Sequence, residues 1–227
     1  MKTWILLVAA ALSATACGKP HSTLADSAAS AVIVSSDPDK NVVGGSTPPG
    51  YLARLDRPDA PVSGMRYAKM GDAWEVMTGP AHILYALKDT ATNNYTASAT
   101  FEQLEGPAHP EAFGIFIGGI HLDTPTQAYV YFLVRGTGEM LIRLRDAAST
   151  RDTIPWTANP AIPKQDASGK ATYNLAVSVK TDSVRFMVND KQVASLSNDN
   201  LQSAGITGIR VNHNLHLKLT PVAIKTP

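Results

Sequence analysis

From Val62 onward, apolar and polar residues alternate with a period of two rather than 3.6, and the runs are short. Tyr95, Ala97, Ala99 and Phe101 interleave with Thr96, Ser98, Thr100 and Glu102. Ala128, Val130, Phe132 and Val134 interleave with Gln127, Tyr129, Tyr131, Leu133 and Arg135. The same beat carries Met140, Ile142 and Leu144, then Tyr173 to Val179, then Val184, Phe186 and Val188. Each run predicts a strand with one face for a core and one for water. Gly136-Thr137-Gly138, Thr181-Asp182 and Asn189-Asp190 supply the turns between them. The last predicts a hairpin that pairs Val184–Val188 with Gln192–Leu196. No segment of this region shows convincing helical spacing. Many short strands with tight links predict an all-β antiparallel sandwich of jelly-roll type.

Several stretches resemble the concanavalin A-like lectin/glucanase superfamily, above all its LamG-like and 3-keto-disaccharide-hydrolase-like bacterial members. They are Gly71-Asp72-Ala73-Trp74-Glu75-Val76, then Tyr95 to Phe101, and Phe113 to Gly119. Tyr129 to Arg135, Val184 to Val193 and Gly205 to Val211 follow in the expected order. Together they span about residues 71 to 220. The resemblance implies a two-sheet jelly roll with a concave face for ligand. It supports the fold far better than any activity.

The N-terminus has another pattern. Met1-Lys2 precedes an apolar run from Trp4 to Ala11, then Leu12-Ser13-Ala14-Thr15-Ala16-Cys17. A basic start, a short apolar stretch and small residues before a cut site are the parts of a secretory signal peptide. Ile5 to Leu12 is far shorter than the ~20 apolar residues of a membrane span. The only cysteine of the chain, Cys17, directly follows the cut. That placement resembles the lipobox of bacterial lipoproteins, in which this cysteine is lipidated and anchors the protein to a membrane. The stretch departs from the lipobox at Ala14, where leucine is usual. Ala14-Thr15-Ala16 also fits ordinary cleavage, which would release a soluble protein. An unpaired cysteine with no role is the third reading.

Residues 18 to 61 read differently again. Pro20, Pro38, Pro48, Pro49, Pro58 and Pro61 fall here with Gly44, Gly45 and Gly50. Such a stretch buries too little apolar surface to offset chain entropy. It predicts a flexible tether, with an arm that adds an edge strand as the alternative. The expected organisation is therefore a signal peptide at 1–16, a lipidated tether at 17–61, a sandwich at 62–222 and a tail at 223–227.

Composition narrows the function classes. The chain has 20 Lys+Arg against 19 Asp+Glu, a formal charge of +1. Nothing in that balance directs it to nucleic acid. With one cysteine the chain forms no internal disulfide, so stability must come from burial.

Candidate chemistry is sparse. Glucanases of the superfamily carry a Glu-x-Asp-x-x-Glu strand. None of the five glutamates, Glu75, Glu102, Glu105, Glu111 and Glu139, lies in that pattern. There is no Gly-x-Ser-x-Gly element. LamG-like modules can bind calcium, and Asp123 after Gly118-Gly119 is the only candidate ligand. The oxygen ligands that calcium needs are not clustered in the sequence, so no cofactor is expected.

One surface stands out. Tyr129, Tyr131 and Arg135 share a parity on one strand, and Arg143 and Arg145 share one on the next. Pairing around Gly136-Thr137-Gly138 would join them, with Trp156 at the rim. Aromatic rings stack on sugars and guanidinium groups donate paired hydrogen bonds, so the patch is a candidate ligand site. A solvated sheet face of Tyr and Arg is the plainer reading. Asn212 and His213, in Asn212-His213-Asn214-Leu215-His216, are further ligand candidates, or else belong to a turn whose side chains satisfy the backbone.

The functional expectation is an exported, lipid-anchored binding module at the cell envelope that recognises a carbohydrate or other extracellular ligand. A hydrolase of a sugar derivative and a structural envelope protein that binds another protein are the alternatives. A soluble secreted form is the alternative for location.

Overall fold

A computed structural model describes residues 38–227. The expected signal peptide, Cys17 and the first part of the expected tether lie outside the described residues. Among the described residues the elements are β-strands and one 3-10 turn, Val62–Gly64.

The strands pair into two antiparallel sheets. The first has seven strands in the order β1 (Leu52–Leu55), β4 (His82–Ala91), β13 (Gly205–Val211), β6 (Ala112–Ile120), β7 (Ala128–Arg135), β8 (Glu139–Asp146) and β9 (Ser149–Ala158). The second runs β12 (Lys191–Ser197), β11 (Ser183–Val188), β10 (Ala171–Val179), β5 (Tyr95–Gln103), β14 (His216–Leu219), β3 (Ala73–Thr78) and β2 (Met65–Met70). β15 (Ala223–Lys225) adds to β5 beside this path.

Period-two patterning explains the layers. On β5 every second residue from Tyr95 to Gln103 is buried. On β10 and β11, Tyr173, Leu175, Val177, Val184, Phe186 and Val188 face the other sheet. Between the sheets Phe101 stacks on Phe113, with centroids 5.3 Å apart, and Phe132 meets Phe186 at 5.3 Å. The Asn189-Asp190 turn closes β11 on β12 with both residues at positive φ, +48° and +63°. That is the backbone a two-residue hairpin of right-twisted strands requires. Gly136-Thr137-Gly138 closes β7 on β8, where Gly138 N donates to the Arg135 carbonyl at 3.0 Å.

The ends differ from expectation. Residues 38–61 belong with the sandwich rather than a free tether. β1 pairs with β4 from Leu52–Tyr85 to Leu55–His82, and Tyr51 packs edge-on against Trp74 at 4.9 Å. Lys40 N donates to Asn214 Oδ1 at 2.6 Å. The Pro and Gly content of this stretch hid a four-residue apolar strand, Leu52-Ala53-Arg54-Leu55. The alternative of an edge strand is the one that holds here. At the other end, Ala223–Lys225 is not a tail but the short strand β15.

Candidate functional site

The seven-stranded sheet has two apolar faces. Phe113, Ile115, Val130, Phe132, Val134 and Ile142 point into the core between the sheets. The residues between them build a second cluster on the outer face, from Ile83, Tyr85, Phe116, Tyr129, Tyr131, Leu133 and Leu141. Trp156 packs against its edge. This is why β7 is buried on both sides, where the sequence alternation predicted a water-facing parity.

Register assembles that face. Phe116 opposes Tyr131, Tyr131 opposes Arg143, and Tyr129 opposes Arg145. The predicted pairing of Tyr129, Tyr131, Arg143 and Arg145 across the β7–β8 hairpin is present, and Arg135 joins them. The Arg135 guanidinium lies 4.2 Å from the centroid of the Trp156 ring and also pairs with Glu139 at 2.8 Å. Arg143 is bound by Asp152 of β9.

The tyrosines are not the open platform the sequence predicts. Tyr129 and Tyr131 are 2% and 4% exposed. Their rings tilt against each other at 5.7 Å, and Tyr129 tilts against Phe116 at 5.2 Å. Strand spacing places their rings too close together to offer a free face for stacking. Trp156, half-buried on the edge strand β9, is the aromatic group that reaches solvent.

Arg210 crosses the middle of this face on β13. Its guanidinium lies 5.3 Å from the Tyr131 ring and holds Asp56 with Nη1 and Nη2, at 2.5 and 2.5 Å. Burial pushes the Asp56 carboxyl up, but the hydrogen bond and charge of Arg210, with Arg145 and His82 beyond, outweigh it. The net effect holds Asp56 below the usual carboxylate range. Burial pulls Arg210 down, but the hydrogen bond and charge of Asp56 outweigh it and drive it higher still, so the guanidinium stays charged.

A cleft of about 680 Å³ opens beside Asp56. One wall is β1 and the loop after it, with Arg54, Asp56 and Arg57. The other is the end of β8 and its turn, with Arg145, Ala147 and Gln127. β1 and β8 are the first and sixth strands of the sheet. Side chains from both can wall one cleft only if the sheet curls round its outer face, so this face is the concave one. Arg54 Nη1 bonds the Leu122 carbonyl at 3.0 Å, which ties β1 to the loop after β6.

The other candidates lie elsewhere. Asn212 and His213 sit in the β13–β14 loop and do not line the cleft. Asn212 is held through its backbone by Ala112 and Thr78, at 2.9 and 3.0 Å. His213 lies between Glu111 at 2.7 Å and Asp39 at 3.4 Å. Asp123 is exposed on the β6–β7 loop. Among the described residues no group of three or more His, Cys, Asp or Glu is arranged to hold a metal ion.

Sequence reasoning missed Arg54, Asp56 and Arg210. The first two fell in the expected tether. Arg210 stood alone between Ile209 and Val211, and that lone charge in an apolar strand was the available signal.

No protein-family model and no curated protein matches the sequence. Solved structures do. A carbohydrate-binding module, CBM66 from Bacillus subtilis, superposes with a TM-score of 0.57 at 11% identity. The match covers 78% of this chain and 96% of that one. Alginate lyase A1-II′, of polysaccharide lyase family 7, matches at 0.48 and 11% identity over 70% and 82% of the two chains. Sheep galectin-11 matches at 0.44 and 13% identity over 60% and 92%. The sandwich is a concanavalin A-like jelly roll, as the sequence resemblance implied.

Proposed function

We propose that this domain is a sugar-binding module whose ligand lies across the concave face, at the cleft between β1 and β8. The observation that carries the reading is the cleft itself. It is walled by guanidinium groups from two distant strands, and among the described residues its lining holds a single carboxylate, Asp56, already held by Arg210. Glycoside hydrolysis of the usual kinds needs two carboxyl groups flanking the bond. The chemistry left to this lining is hydrogen-bond donation, which suits recognition of hydroxyl, carbonyl or acid oxygens. Along the same face, toward the Glu139 end of β8, half-buried Trp156 offers the stacking surface that the buried tyrosines do not.

The test is a glycan array followed by calorimetry. At least one saccharide class should bind, and Trp156→Ala should weaken it several-fold while the fold persists by circular dichroism. Failure of every saccharide to bind removes the reading.

Export and anchoring belong to the same proposal. They are supported by the signal-peptide pattern and by Cys17 directly after it. Several acyl chains at that cysteine would hold the domain at the envelope, where one alone would not. Cys17→Ser should move the protein from membrane to soluble fractions, and unchanged membrane retention refutes the anchor.

A further inference from the structure

We propose that the cleft selects acidic saccharides, with a carboxylate or sulfate oxygen pair seated by Arg54 and Arg145. This rests on the sugar-binding reading above and narrows it to a ligand class.

The argument is an inventory of charge. Of the ionisable groups lining the cleft, Asp56 is taken by Arg210 and Arg57 by Asp39 at 2.8 Å. Among the described residues Arg54 and Arg145 form no ion pair with a carboxylate, although Arg145 lies near enough to Asp56 to act on its charge. Arg54 commits Nη1 to the Leu122 carbonyl at 3.0 Å, and Arg145 commits Nε to the Ala147 carbonyl at 2.8 Å. Each bond fixes a side chain, and among the described residues the rest of its guanidinium has no hydrogen-bond acceptor. Arg210, which holds Asp56 of the lining, is 7% exposed and among the described residues keeps a buried Nε with no hydrogen-bond partner. Apart from Gln127 and the charged groups, the lining is Ala, Leu, Pro and Val, so charges here are screened less than on an open surface.

A neutral sugar would satisfy these N–H groups with hydroxyls but leave the charges uncompensated. An acid group satisfies both, because two oxygens in one plane match the guanidinium fork. Nucleic acid fits less well. The chain carries a formal charge of only +1, and its uncompensated cations are local to the cleft rather than spread as a stripe to track phosphates.

The test titrates the full exported chain with three oligosaccharides of equal length, one uronate, one sulfated and one uncharged, at 50 and 500 mM NaCl. At least one acidic ligand should bind about tenfold tighter than the neutral one and lose about tenfold in high salt. Comparing the uronate and sulfated arms identifies which acid group is held. Arg54→Gln and Arg145→Gln should each weaken acidic binding by about tenfold with little change for the neutral ligand. Because Arg145 also secures its turn, Arg145→Lys serves as a second variant. It keeps the charge and loses the fork, and should retain salt dependence with a several-fold loss.

Equal affinity for neutral and acidic ligands, or acidic binding insensitive to both substitutions, overturns the assignment and leaves the sugar-binding reading standing. A preference for single-stranded nucleic acid over every saccharide overturns it too. No saccharide binding at all removes both.

Discussion

Arg210 on β13 grips Asp56 through both carboxylate oxygens, each at 2.5 Å, with the arginine side chain 8% exposed and the aspartate 32%. The two residues are 154 positions apart. The pair ties the segment after β1 to the centre of the concave face and holds Asp56 where it lines the cleft. Removing one partner of such a pair strands a buried charge. Asp56→Ala should therefore cost about 3 kcal/mol in urea unfolding, and Arg210→Met in the same chain should restore much of it. A single substitution that is neutral on its own would show that the pair is not structural.

His82 makes stability depend on pH. It is fully buried, accepts from the Tyr67 hydroxyl at Nε2 across 2.6 Å, and donates from Nδ1 to the Pro80 carbonyl at 3.1 Å. Burial pushes its pKa down to about 4, and the Arg210 charge adds to the fall against opposing effects of Pro80 and Asp56. The unfolded chain takes up a proton near pH 6.5 while the folded chain does not. Stability is thus complete above pH 6.5 and declines as pH falls toward 4, by up to roughly 3 kcal/mol. Denaturant midpoints at pH 7 and pH 5 measure it. His82→Gln should flatten the difference, and an unchanged slope would assign the effect to other groups.

Much of the sandwich was legible because its strands obey the period of two. β5, β7, β8, β10, β11 and β12 fall where the alternation and the turns placed them. The concave site was legible only in part. Tyr129, Tyr131, Arg143 and Arg145 come together because a hairpin is a local device, and register follows from its turn. What hid the rest was distance in sequence and a second apolar face. Arg54 and Asp56 reach the site from a Pro-rich segment about ninety residues before Arg145. Burial of Tyr131 depends on Phe116 and Arg210, which no local pattern links to it.

Gly208 tests how tightly that face is packed. A β-carbon there would stand 2.4 Å from the Leu84 carbonyl oxygen and 2.5 Å from the Phe116 ring. The ring can turn, but the backbone oxygen cannot yield without parting β13 from β4. Gly208→Ala should cost about 1–3 kcal/mol by overpacking. A thermal melt that matches the parent would show the strands have slack.

The β11–β12 hairpin offers the opposite sign. Asp190 sits at φ +63° after Asn189 at +48°, and its side chain is exposed. Glycine takes this backbone without steric cost, and Asn-Gly is the favoured pair for the turn. Asp190→Gly should raise stability by roughly 0.5–1 kcal/mol in the folded chain, less its larger entropy when unfolded. A lower melting temperature would mean that Asp190 makes a contact of value beyond the turn.

Where the domain begins is the sharpest point at which composition and structure part. Composition starts it at Val62, whereas packing starts it before β1. A chain shortened to begin at Val62 loses the β1–β4 pairing, the Tyr51–Trp74 contact and the Asp56 partner of Arg210. It also loses one wall of the cleft. Stranding Arg210 alone costs about 3 kcal/mol, and the lost ladder and burial add to that. At 2–4 °C per kcal/mol for a domain of this size, the shortened chain should melt about 10–20 °C below one that begins at Pro38. It should bind saccharide at the concave face far more weakly even where it remains folded, because the whole β1 wall of the cleft is gone. Equal melting temperatures would return residues 38–61 to the role of a tether. Equal affinities would move the ligand away from the wall that β1 builds.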